Sequence, residues 1–102
     1  MMYMLCYEQV QEDEVTRERL GAAIKSTGHW SNRIGGTWLI EPHRPLSASQ
    51  LRDHFKQFIN DGDRLFVARI SQNWAGRNMG QGFSEWVGRR DFGQFVPPKS
   101  SS

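Results

Sequence analysis

The chain has 102 residues, enough for one domain with one core, and its 37% hydrophobic and 24% charged residues exclude a disordered polyelectrolyte. Its net charge of +2 hides an uneven spread: the first fourteen residues hold Glu8, Glu12, Asp13 and Glu14 and no base, and the rest carries thirteen Lys and Arg against seven Asp and Glu. That basic excess suits a polyanionic partner, with a merely solvated surface as the rival reading, and with no run near the ~18 apolar residues of a membrane span and no basic leader at the start, a cytoplasmic protein without membrane contact is expected.

Met2 to Tyr7 is apolar at every position and ends in Glu8. So short a run, with two Tyr and a Cys, predicts a central strand covered on both faces, which would hold Glu8 at the rim of the sheet. Cys6, the only cysteine, allows no internal disulfide and is expected to act as a small buried hydrophobe.

Val15 to Thr27 carries Leu20, Ala23 and Ile24 at helical spacing, with acids before it, Lys25 near its end and Gly28 where a left-handed cap belongs. His29–Ile34, Gly35-Gly36 and Thr37–Glu41 then predict a hairpin, its first arm an edge strand. Ser47-Ala48-Ser49-Gln50 matches a capping box, and Leu51, Phe55, Phe58 and Ile59 form one apolar helical stripe that Asn60-Asp61-Gly62 ends. Asp63–Ser71 reads as a second central strand.

Strand, helix, strand, strand, helix, strand in that order predicts an α+β, ferredoxin-like βαββαβ fold over residues 1–75, with strand order 4-1-3-2 and both helices on one face. Apolar side chains on the sheet's other face then need a cover. Either the C-terminal tail or a second copy of the chain supplies it, and a homodimer through the sheet is the simpler closed solution. Residues 76–95 read as a basic-aromatic extension packing on the domain or its dimer partner, with Ser84 capping a short helical turn, and residues 96–102 as a disordered tail.

Two groups of residues are candidates for chemistry. Glu8, with Glu12, Asp13 and Glu14 nearby, offers oxygen ligands for Mg2+ or Mn2+, although acids at a helix start also occur for dipole reasons alone. Arg33, Trp74, Arg77, Arg89 and Arg90 combine stacking planes with phosphate-pairing guanidiniums, the mixture that RNA or single-stranded DNA takes; covering the sheet's second face is the competing role for Trp74. His29, His43 and His54 show no metal-ligand spacing.

The opening Met-Tyr-Met-Leu-Cys-Tyr-Glu strand, Thr37-Trp38-Leu39-Ile40, Ser47–Arg52, Asn60–Val67 and Asn73-Trp74-Ala75-Gly76 resemble the second CRISPR-associated adaptation protein and its relatives, virulence-associated protein D and the small SinR-like proteins. The SinR-like group is the most similar. The resemblance implies a ferredoxin-like homodimer in which an acid ending the first strand of each copy faces its twin and holds a divalent metal. It also implies binding, and in some members cutting, of RNA or DNA. The matching acid here is Glu8, one methylene longer than the family's Asp. A non-catalytic interaction module that docks a protein partner, from a mobile element or a phage defence or counter-defence system, is the alternative expectation.

Overall fold

In a computed structural model, whose described residues are 1–93, Met2–Glu8 forms strand β1, hydrogen-bonded to a neighbour on each side. Helix α1 (Glu14–Thr27), strands β2 (Gly28–Ile34) and β3 (Thr37–Pro42), helix α2 (Ala48–Phe55) with a 3-10 turn at Lys56–Phe58, strand β4 (Arg64–Ile70) and helix α3 (Phe83–Gly88) follow. The sheet order is β2-β3-β1-β4 and every pairing is antiparallel, which is the expected ferredoxin-like α+β arrangement.

Strand alternation divides the core in two. Tyr3 and Leu5 of β1 and Ile40 of β3 pack under Leu20, Ala23 and Ile24 of α1 and Leu51 and Phe55 of α2, so both long helices lie on one face. Ser47 accepts from the Gln50 N–H and Gln50 reaches back to the Ser47 N–H, completing the capping box that starts α2. On the opposite face Met2 packs with Phe83, Val87 and Phe92, backed by Leu39 and Ile70. The C-terminal extension therefore lies over that face at the Met2 end of β1. Around Cys6 the face is open, and Phe66 and Ile34 stand 60% and 56% exposed.

Several local expectations are corrected. Strand β4, central by its apolar composition, stands at the sheet edge, as the order 4-1-3-2 requires; Leu65 and Val67 pack on the helix-side core and Ile70 against the extension, while Phe66 stays exposed. Gly28 is extended, not left-handed, and it begins β2; a side chain there would run into the Glu41 carbonyl, so close backbone approach is what requires glycine. Neither glycine of the Gly35-Gly36 turn is left-handed. Asn32 holds the turn instead, its Nδ2 donating to the carbonyls of Gly35 and Thr37, both at 2.9 Å. Gly82, not Ser84, is the N-cap of α3. The disordered tail expected at 96–102 lies outside the described residues, as do positions 94 and 95.

Candidate nucleic-acid interface

Glu8 ends β1 directly opposite Arg64 of β4, and the two side chains pair at 3.4 Å while remaining 73% and 82% exposed. A pair so exposed contributes little to stability. The acids that follow are engaged elsewhere. Arg17 binds Glu14 at 2.8 Å and Glu12 at 3.5 Å, and Asp13 caps α1 by accepting from the Thr16 N–H. The Thr16 hydroxyl, the Asn60 amide and the Thr16 backbone N–H hold the Asp13 carboxyl down at about 2.

Mg2+ and Mn2+ need several convergent oxygens, and among the described residues no three His, Cys, Asp or Glu side chains gather to hold a metal ion. At the end of β1 a single copy supplies the Glu8 carboxylate alone, so one chain by itself does not make up the divalent site that the resemblance implies.

Next to Glu8 is a linkage that the sequence reading missed. The Tyr7 hydroxyl donates to Asp63 at 2.7 Å, and Asp63 also accepts from the N–H groups of Val10 and Asn60. Burial and this bond push the Tyr7 hydroxyl up to about 12. Desolvation works against the charged Asp63, but the three donors outweigh it and keep the carboxyl below its ordinary value. Nothing local in the sequence announces the pair, because strand end and turn lie far apart along the chain.

The five residues proposed for nucleic acid separate into two groups. Arg33 of β2 donates from Nη1 to the Met79 carbonyl at 3.2 Å and from Nη2 to the Gln81 carbonyl at 3.3 Å, clamping the loop after β4 against the sheet. Arg90 is turned inward, pairing with Glu41 at 3.4 Å, donating to the Trp86 carbonyl and lying over the Trp86 ring. Both serve the packing of the extension. Arg33, though engaged, is itself exposed, as are Trp74, Arg77 and Arg89: Trp74 is 41% exposed and edge-on to Phe83, and neither Arg77 nor Arg89 has an ion-pair partner among the described residues.

Two further juxtapositions are absent from the sequence reading. Lys25 lies 4.8 Å from the Trp30 ring centre, making an exposed aromatic-cation pair where α1 passes into β2. His29 and His43 meet edge to face at 5.4 Å although their sequence spacing suggests no partnership.

No helix among the described residues is long and apolar enough to cross a membrane. No protein-family model, curated protein or solved structure matches the chain.

Proposed function

We propose that this is a cytoplasmic nucleic-acid-binding protein whose contact surface runs from Trp74, after β4, along the C-terminal extension, with Trp74 stacking on bases and Arg77 and Arg89 pairing with phosphates. The observation that carries it is the exposure of that tryptophan and of two arginines without ion-pair partners among the described residues, on a segment after β4 that Arg33 and Arg90 fix to the sheet. A base stacked on an aromatic ring is worth about 1–3 kcal/mol, and guanidiniums supply the salt-dependent part. The resemblance to the adaptation-protein family points to the same partner. Fluorescence anisotropy with labelled single-stranded RNA, single-stranded DNA and hairpins, comparing the wild type with Trp74→Ala and with Arg77→Gln/Arg89→Gln, tests it.

A second reading, protein docking, rests on the open half of the sheet, where Phe66 and Ile34 expose most of their side chains. A second copy of the chain is the first partner to test there, because pairing two such faces would also bring two Glu8 residues toward one another. Light scattering of the wild type and Phe66→Glu distinguishes the outcomes: a dimer that Phe66→Glu dissociates supports the homodimer, and a wild-type monomer at high concentration removes it. If a dimer forms, cleavage assays with Mg2+ or Mn2+ comparing Glu8 with Glu8→Gln decide whether it is an endonuclease.

A further inference from the structure

Between the sheet's second face and the extension lies a cavity of about 260 Å3, walled by Met4, Leu39, Ile70, Trp74, Met79 and Phe83. Its origin is traceable to two features of the chain. The irregularity between Ser31 and Ile34 in β2 allows the successive residues Arg33 and Ile34 both to line it, which regular alternation forbids. The extension, meanwhile, buries Phe83, Val87 and Phe92 but spans Met4 without filling the space above it.

The chemistry of the lining is one-sided. Apart from the hydroxyls of Ser31 and Thr37 and the amide of Asn73 it is apolar, and Arg33 is its only charged residue, with no carboxylate among the described lining residues. Arg33 spends one N–H from each of Nη1 and Nη2 on the Met79 and Gln81 carbonyls, which leaves three of the roughly five donors of a guanidinium. An apolar cavity of about 150 Å3 takes a benzene, so this one suits roughly ten heavy atoms.

We infer that this cavity binds a small amphipathic carboxylate, an aromatic or short-chain acid whose apolar body lies against Met4, Leu39 and Trp74 and whose carboxylate pairs with Arg33. A planar carboxylate matches the guanidinium fork, and the lack of any acid in the lining leaves nothing to repel it. The site is separate from the exposed Trp74, Arg77 and Arg89 surface except that Trp74 borders both.

Calorimetric titration of the full chain with 4-ethylbenzoate and with 4-ethylbenzyl alcohol tests the assignment. One molecule of the acid should bind per chain, and the alcohol should bind about tenfold more weakly or worse, as loss of a charge-assisted bond implies. Arg33→Met should weaken the acid by a similar factor, and Ala75→Trp, at an exposed lining position, should abolish binding of both. Absence of saturable binding at millimolar acid, equal affinity for acid and alcohol, or unchanged binding by either variant overturns the inference. If Ala75→Trp melts early, methyl NMR of the wild type replaces it: acid-induced shifts at Met4 and Met79 support the site, and shifts confined to other methyls overturn it.

Discussion

Arg90 and Glu41 form an ion pair at 3.4 Å with side chains only 9% and 14% exposed, joining the C-terminal extension to the end of β3. Glu41 also accepts from the Asp91 backbone N–H, so one carboxylate serves two donors of the extension. The extension is thereby part of the fold, held by polar contacts at its far end and by Phe83, Val87 and Phe92 on the sheet.

Glu41→Ala should destabilise the protein by about 3 kcal/mol, because it leaves a mostly buried guanidinium without its counter-charge. Urea unfolding measures it. A change below about 1 kcal/mol would mean that the pair is open to solvent.

The Tyr7–Asp63 bond predicts an alkaline effect. A hydroxyl whose folded pKa is raised from 10.0 to about 12 stabilises the fold fully below pH 10, and that contribution is lost as pH rises through about 12. Tyr7→Phe should cost about 1 kcal/mol near neutrality and flatten the stability profile between roughly pH 10 and 12. The same alkaline loss in both proteins would assign it to another group.

Asp13 predicts the acid side. Its carboxyl is lowered from 3.8 to about 2, so its stabilisation is complete above pH 4 and is lost as pH falls through about 2. Replacing it with Ala should remove the N-cap, lower stability at neutral pH and shrink the loss seen between pH 4 and 2. Denaturant midpoints measured across that range check both parts.

Gly21 of α1 is buried, and a Cβ there would sit 3.7 Å from the Trp38 ring, an ordinary contact distance. Gly21→Ala should therefore stabilise by about 0.5–1 kcal/mol through helix propensity. A loss of stability would show that α1 packs more tightly on Trp38 than this geometry allows.

The parts of this fold readable from sequence are those with local causes. The apolar run of β1, the Ser47/Gln50 capping box and the Leu51/Phe55 stripe each carry their signal within a few residues, and all three stand where expected. The apolar run of β4 by itself suggests a mid-sheet strand, because packing under side chains and pairing between strands leave similar patterns; the order 4-1-3-2 is what puts it at the edge. For the candidate site, composition picked out the basic-aromatic residues but could not separate Arg90, which meets Glu41 across 49 positions of chain, from Arg89 beside it at the surface. Side-chain direction just past the end of α3 decides that, and both residues look alike in sequence. Tyr7–Asp63 and Arg33–Met79 were equally invisible, since each depends on strand register and on the path of a distant loop.

The most direct test of the central claim is the affinity for a labelled single-stranded RNA or DNA as a function of salt. The account predicts binding at low salt that weakens linearly on a log–log plot, with the slope reduced by roughly 1.4 in Arg77→Gln/Arg89→Gln, about 0.7 for each phosphate contact removed. No binding of either nucleic acid at low salt, or a slope that the double substitution leaves unchanged, would contradict it.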